Sequence, residues 1–362
     1  MPIDRHITEF AGLPVVEFPS KDLDPGSWTR AENEAREAGR TAPTPPPLRP
    51  AVKAAVAAPE SVAWRLRTGF DEVEDFAPYF SRFLDAVDTS GIAALVIGGW
   101  GDFCAEPPAE PVRDLLIEHA DRFPALRSLF FGEIIGEEYE ISWIKQTDMA
   151  PLLAAFPRLT EFTVRGAGIS YPPDEDDPED GLLELHVPEH RALRRLTVQS
   201  GGLPDAVGRQ IAASGLPSLE HLELWLGVWS YGGTCVPDSL APVLSGTAFP
   251  ELRSLGLRNA EDTDVWVRVL ADSPLTERLE HLDLSMGTLT DRGASVLLDS
   301  PVFRELRRLD LHHHYLSEDT AERLRTHFTE GGVEIDLGDR REPYADYDPD
   351  DLDASLYPAV TE

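Results

Sequence analysis

Cysteine, lysine and long apolar runs are all scarce in this 362-residue sequence. Cys104 and Cys235 are the only thiols and lie far apart, which excludes a disulfide framework and favours a reducing compartment. The longest apolar run, residues 92–97, is far shorter than the roughly 20 residues that a helix needs to cross a bilayer. The residues after Met1 contain no apolar stretch typical of a secretory signal. A cytoplasmic protein with no membrane partner is therefore expected.

Basic residues are also few: 32 Lys and Arg stand against 65 Asp and Glu, which gives a net charge of −33. Nucleic acid and anionic lipid are themselves negative, so neither is expected as a partner. The same charge favours a protein partner with a basic surface, through electrostatic steering more than through affinity. The apolar share of 42% is enough for a hydrophobic core and excludes wholesale disorder.

One pattern, apolar–x–x–apolar–x–apolar, recurs along most of the chain. Its eight copies begin at Ile92, Leu126, Leu159, Leu193, Leu219, Leu252, Leu279 and Leu306. They are 26 to 34 residues apart, and a closing strand is predicted at residues 333–337. The last apolar positions of each copy alternate with other residues, as in a strand that buries one face, and helical spacing follows. Such a strand–helix unit cannot bury its apolar side alone, so the units must stack.

This pattern resembles leucine-rich repeats of the ribonuclease-inhibitor type, most closely in residues 282–294. The chain departs from that type at the position of the usual asparagine ladder. That position holds Trp100, Ile134, Ala167, Gly201, Gly227, Ala260, Gly287 and His314. Residues 6–15, 139–144, 284–289 and 311–316 also resemble stretches of an uncharacterised family of bacterial cytoplasmic leucine-rich-repeat proteins, and this resemblance covers nearly the whole chain. The resemblance implies an α/β fold, a right-handed solenoid or horseshoe with a concave parallel β-sheet and outer helices, and it implies no activity.

The segments outside the repeat suggest three parts. Residues 1–50 are predicted to be an N-terminal capping segment, with a strand or hairpin within 1–18 and a proline-rich connector. Residues 51–338 form the predicted repeat domain, which begins with an atypical strand at 62–66. Residues 339–362 form an acidic tail that is expected to be flexible. Small apolar side chains in the first repeats suggest that the N-terminal segment covers part of the concave face, but this point stays open.

No local catalytic signature occurs: we find no His-Glu-x-x-His, Gly-x-Ser-x-Gly, phosphate-loop lysine or Cys-x-x-Cys. The chain is therefore expected not to be an enzyme and to need no cofactor. The acidic loop 174–181 admits a calcium site, but its glycine stands at the eighth position and no glutamate at the twelfth. A solvated loop is the favoured interpretation. This loop and the tail together carry −12 of the −33.

The position of each residue within the repeated pattern, which we call the repeat frame, also predicts which side chains point away from the core. In the later repeats these side chains are charged or aromatic, and they form the candidate partner-binding site. Its residues are Trp225, Arg258, His281, Asp283, Arg308, Asp310 and His312. Trp225 is either an interface anchor or a residue packed within the 227–237 insertion.

Three interpretations of the charged residues stay open. Asp283 and Asp310 are expected side by side, because adjacent strands lie about 4.8 Å apart. Their repulsion is relieved by salt links to Arg258 and Arg308, by a bound cation, or by a proton that the two carboxylates share. In the second case a metal held by His281, Asp283, Asp310 and His312 would support hydrolysis.

The histidine triplet 312–314 cannot point one way at the end of a strand. We expect His314, at the ladder position, to hydrogen-bond the backbone in place of asparagine. Metal binding is the alternative.

Overall fold

The structure is a computed structural model that describes residues 3–21, 33, 36, 39, 48–69, 74–102, 107–168, 182–343 and 356–361. Its strands are β1 Glu9–Phe10, β2 Leu13–Glu17, β3 Ala63–Leu66, β4 Ala94–Ile97, β5 Ser128–Phe131, β6 Glu161–Arg165, β7 Arg195–Gln199, β8 His221–Gly227, β9 Ser254–Ala260, β10 His281–Asp283, β11 Arg308–Asp310 and β12 Glu334–Asp336. Its α-helices are α1 Pro50–Ala57, α2 Phe76–Ala86, α3 Glu110–Glu118, α4 Ala150–Ala155, α5 Asp205–Ala212, α6 Ala241–Leu244, α7 Thr263–Ala271, α8 Asp291–Asp299 and α9 Glu318–Glu330. Short 3₁₀ helices lie at Pro59–Ser61, Thr89–Gly91, Ala120–Arg122, Ile141–Trp143, Trp229–Tyr231, Pro237–Leu240, Thr276–Arg278 and Pro301–Glu305.

The strands form one 12-stranded sheet whose spatial order follows the chain from β1 to β12. Only β1 and β2 pair antiparallel; the other neighbours run parallel. Each predicted copy of the repeat contains a strand, and the predicted strands at 62–66 and 333–337 are present as β3 and β12. The fold is therefore α/β, with a mostly parallel sheet and a solenoid-like succession of strand–helix units. The boundaries after residues 50 and 338 stay predictions.

Equivalent leucines stack from strand to strand and form the core. Leu222 on β8 pairs in register with Leu255 on β9, which pairs with Leu282 on β10, and all three are at most 1% exposed. The following helices bury their apolar side on the same core, as Val267 and Leu270 of α7 show. Removal of this apolar surface from water stabilises each unit only when its neighbours are present.

The N-terminal segment folds back over the sheet. Ala11 and Gly12 have φ of 53° and 73°, which a two-residue hairpin turn requires, and they join β1 to β2. The Phe10 ring then lies 6.1 Å from the ring of Phe130 on β5. The Ile7 amide donates to a carboxylate oxygen of Glu133 at 2.8 Å. The N-terminal segment thus covers the side chains that β5 directs away from the core.

The end of the tail is packed against the repeats. Leu356 and Val360 are 8% and 2% exposed. The Ala359 amide donates to the Met286 carbonyl at 2.8 Å, and the Thr361 carbonyl accepts from the Ser142 hydroxyl at 2.7 Å. The prediction of a flexible tail is therefore wrong for residues 356–361, because these residues bury apolar side chains and satisfy their backbone groups on the loops that follow the strands. Residues 344–355 lie outside the described residues.

Three residues beneath this segment share an unusual backbone conformation. Asn259, Met286 and His313 occupy the same position of successive repeats, and their φ values are 55°, 66° and 60°. Each contacts the C-terminal segment: Asn259 bonds Val360, the Met286 carbonyl accepts from Ala359, and a His313 ring nitrogen lies 3.2 Å from the Tyr357 carbonyl. Residues in the left-handed conformation at this repeated position therefore contact the last residues of the chain.

Three features of the sequence fall on residues that the structure does not describe. Residues 40–47 of the predicted proline-rich connector, the acidic loop 174–181 and Cys104 lie outside the described residues, whereas Cys235 is a buried free thiol. Among the described helices, none has the length and the apolar character that crossing a bilayer requires.

Candidate functional site

A groove of about 510 Å³ lies on the sheet between β7 and β11. It is on the polar face, which we define by the side chains that point away from the leucine core on β7–β12. His281, Asp283, Arg308 and Asp310 of the predicted site line it. Trp225, Arg258 and His312 are not among its lining residues.

Strand register arranges the groove in two rows. The basic row contains one residue from each of β7–β11: Arg195, His221, Ser254, His281 and Arg308. Because these residues are Cα partners across successive strands, adjacent members of the row are about 4.8 Å apart.

The acidic row lies two residues further along each strand, about 6.6 Å away. Its members, from β8 to β12, are Glu223, Gly256, Asp283, Asp310 and Asp336. Gly256 interrupts the carboxylates, and a Cβ there would come within 3.1 Å of the Glu223 side chain. The polar face therefore carries both signs of charge in separate rows.

Trp225 lies beneath this face and is only 1% exposed. Its indole nitrogen donates to Glu223 Oε1 at 2.8 Å, and the Arg258 guanidinium lies 5.4 Å from the centre of its ring. Arg258 also forms an ion pair with Glu223, with Nη1 and Oε1 3.0 Å apart. The repeat places Trp225 on the polar face, but Arg258 and Glu223 cover its ring. Of the two interpretations, the burial favours a packed residue, and the contacts named here are with residues of β8 and β9.

The side chains around Glu223 set its pKa. Burial by itself would raise that pKa, but interactions with His221, Arg258 and Trp225 outweigh burial and lower it to about 2. Glu223 is therefore a charged carboxylate that Arg258 and Trp225 hold in place.

Asp283 and Asp310 are neighbours in register, as the repeat frame predicts. The predicted salt links are present, since Arg258 Nε lies 3.3 Å from Asp283 Oδ2 and Arg308 Nη2 lies 3.2 Å from Asp310 Oδ2. Burial raises the pKa of Asp283, and the adjacent charge of Asp310 adds to this effect. Asp310 shifts the other way, because hydrogen bonds from His312 and Arg308 outweigh its burial and lower its pKa to about 2.

One group of possible metal donors occurs within the described residues, and it differs from the predicted set. One donor atom each of Asp310, His312 and Asp336 lies within 4.8 Å of the other two. His281 and Asp283 are not part of the group. Asp336 is not among the predicted residues, although the predicted closing strand carries the signal: Ile335 aligns with Leu309 and so places Asp336 beside Asp310.

The histidine triplet divides its roles as the frame predicts. His314 is fully buried, its Nδ1 accepts from the Leu316 amide at 3.2 Å, and its Nε2 lies 3.3 Å from the Leu337 carbonyl. Burial lowers the pKa of His314, which favours the neutral ring with one donor and one acceptor. The expected backbone hydrogen bonding in place of asparagine is confirmed. His312 instead bonds Asp310 Oδ1 through Nδ1 at 2.7 Å.

No protein-family model and no curated protein matches the chain. Among solved structures, the crystal structure of a protein from Bacteroides fragilis matches with a TM-score of 0.71 and 27% identity, over 95% of this chain and 88% of that chain. A TLR13–ssRNA13 complex matches with a TM-score of 0.36 and 16% identity, over 78% of this chain and 36% of that chain, which is too loose to relate the two folds. The Bacteroides protein shares the overall fold over almost its full length.

Proposed function

We propose that this protein is a non-catalytic interaction scaffold of the leucine-rich-repeat type that binds a protein partner on its polar face. The observation that carries the proposal is the groove of about 510 Å³ across five adjacent strands, lined by charged side chains. In the proposed arrangement the units form a right-handed horseshoe with outer helices, and the polar face is its concave side. Stacked repeats offer such extended surfaces for binding.

Six residues of the predicted site keep a role as partner contacts: Arg258, His281, Asp283, Arg308, Asp310 and His312. The side chains of Arg308, His312 and Asp283 are 45%, 32% and 29% exposed. Trp225 supports this surface from below, because it fixes Arg258 and Glu223 without reaching a partner.

The net charge of −33 supports a partner with a basic overall surface, since opposite charge speeds encounter. For the same reason nucleic acid and membranes are not proposed as partners. The scarcity of cysteine, together with the buried free thiol of Cys235, supports a cytoplasmic location.

Site-specific photocrosslinking tests the proposal. A photoreactive amino acid at Ser254, which lines the groove, is compared in living bacteria with the same residue at Arg268, which is exposed on α7. We expect a discrete protein adduct from position 254 that is absent at position 268. The proposal fails if position 254 gives no adduct, or if both positions capture the same proteins equally.

A second candidate function is binding of a divalent metal, with hydrolysis as the associated activity. It is favoured by the approach of Asp310, His312 and Asp336 to within 4.8 Å, since imidazole and carboxylate ligands suit zinc and manganese. A metal would have to displace the hydrogen bond between His312 and Asp310.

Calorimetry with zinc and with manganese tests this candidate. Binding should weaken in Asp336→Asn and persist in Asp272→Asn, a matched change at an exposed residue outside the site. Failure of both metals to bind the unaltered chain would exclude it.

A further inference from the structure

We infer that the groove binds an acidic, extended segment of its partner, whose carboxylates contact Arg195 and His281. This inference rests on the proposed function, because it names the chemistry that the polar face recognises. It differs from what the net charge of the chain indicates, and it depends on which groups in the groove are already engaged.

The acidic side chains of the groove are all occupied by cations of the same chain. Glu280 Oε2 lies 3.0 Å from Arg307 Nη1, and Glu220 forms an ion pair with Arg194. Asp283 and Asp310 are held by Arg258, Arg308 and His312 as described above. A basic partner would have to compete with each of these internal pairs.

Two donors of the groove remain uncommitted. Within the described residues, the side chains of Arg195 and His281 form no ion pair and no hydrogen bond, and both residues are exposed. Glu161, the Cα partner of Arg195 on β6, instead accepts a hydrogen bond from Ser128 at 2.9 Å. The groups left for a ligand are therefore a guanidinium and an imidazole, which bind carboxylates through charge-assisted hydrogen bonds when charged.

The spacing of these two donors fits an extended chain. Arg195 on β7 is in register with His221, Ser254 and His281 on the next three strands. Three strand spacings separate Arg195 from His281, which corresponds to about 14 Å between their backbones. An extended peptide rises about 3.4 Å per residue and places alternate side chains on one face. Glutamates in a Glu-x-x-x-Glu segment would thus reach both donors from the same side.

The floor between the two donors leaves room for such a segment. Gly256 contributes no side chain to the acidic row there. His221 Nδ1 and Ser254 Oγ are bonded to each other at 2.8 Å, so these two side chains between the donors are already engaged. The net charge of −33 does not forbid the contact, because the Debye length at physiological salt is about 8 Å and short-range pairing decides the outcome.

Peptide binding tests the inference. Labelled extended peptides that differ only at two positions, Glu-x-x-x-Glu, Gln-x-x-x-Gln and Lys-x-x-x-Lys, are titrated with the full chain at about 0.15 M salt and followed by fluorescence anisotropy. We expect the glutamate peptide to bind about tenfold more tightly than the other two. Arg195→Ala and His281→Ala should each remove most of that preference. Arg191→Ala is the matched control, since Arg191 is 81% exposed and pairs with Glu189 outside the groove.

The inference is overturned if the lysine peptide binds more tightly, if Arg195→Ala acts no differently from Arg191→Ala, or if the glutamate peptide fails to bind at millimolar concentration. Failure of the proposed function is a separate result. A partner that crosslinks at position 254 while the glutamate preference is absent removes only the acidic segment. Absence of any adduct at position 254 removes the interaction face itself.

Discussion

The side-chain amide of Asn259 is paired at both ends with the backbone of Val360. Its Oδ1 accepts from the Val360 amide at 2.9 Å, and its Nδ2 donates to the Val360 carbonyl. These residues are 101 positions apart in sequence, and both are almost completely buried. The pair therefore joins the last residues of the chain to the C-terminal end of β9.

Asn259→Ala should lower the free energy of unfolding by about 1 to 3 kcal/mol, because it leaves two buried backbone groups of Val360 unpaired. Urea denaturation measures the loss. Asn33→Ala, the same change at an exposed residue, should have little effect. In a chain that lacks residues 356–362, Asn259→Ala should no longer cost the same amount, since coupled sites are not additive. Equal costs in both chains would show that the segment does not depend on Asn259.

The repeat frame was sufficient to predict the strands, their order and the placement of Asp283 beside Asp310, because each unit repeats the same apolar spacing. It could also have placed Asp336. It could not predict the C-terminal segment, because the contact of Val360 with Asn259 occurs once and leaves no periodic signal. The repeat frame could not predict the burial of Trp225 either. It gives the direction of a side chain, but it does not show that the Arg258 side chain extends over the Trp225 ring.

Arg258 organises the polar face, because its guanidinium lies over Trp225 and pairs with Glu223 and Asp283. Arg258→Ala should destabilise the protein by about 2 to 3 kcal/mol. Loss of one partner from a fully buried ion pair costs more, but these side chains keep some solvent contact, which reduces the cost. The pKa of Glu223 should rise from about 2, which NMR titration of side-chain carboxyl groups can follow.

Arg209→Ala is the control for this change, since Arg209 pairs with Asp205 at a site where its side chain is 57% exposed. An exposed pair of this kind contributes little to stability. If the two alanine variants were equally stable, Arg258 would not organise the face.

His6 holds the N-terminal segment in a pH-dependent way. Burial would lower its pKa, but hydrogen bonds to Glu133 and Glu138 outweigh burial and raise it from 6.5 to about 9. A raised pKa contributes stability that is complete below pH 6.5 and is lost as pH rises through about 9. Hydrogen exchange of residues 3–18 should therefore accelerate between these two pH values, beyond the intrinsic increase.

His6→Ala tests this dependence directly. The variant should show fast exchange of residues 3–18 at every pH, with no transition near pH 9, whereas exchange in α9 should match that of the unaltered chain. A transition that persists in His6→Ala would assign it to another group.

Asp283 and Asp310 should respond in opposite ways to the same substitution. Burial raises the pKa of Asp283, so its charge is disfavoured in the fold, and Asp283→Asn should leave stability at pH 7 equal or higher. The pKa of Asp310 is lowered from 3.8 to about 2. Its charge therefore stabilises the fold at pH values above the unfolded pKa of 3.8, and this contribution is lost as the pH falls through about 2. Asp310→Asn should therefore cost about 1 to 2 kcal/mol at pH 7, a figure reduced for the partial exposure of the site. Urea denaturation of both variants decides the point, and a larger loss in Asp283→Asn than in Asp310→Asn would reverse the assignment of charge between these neighbours.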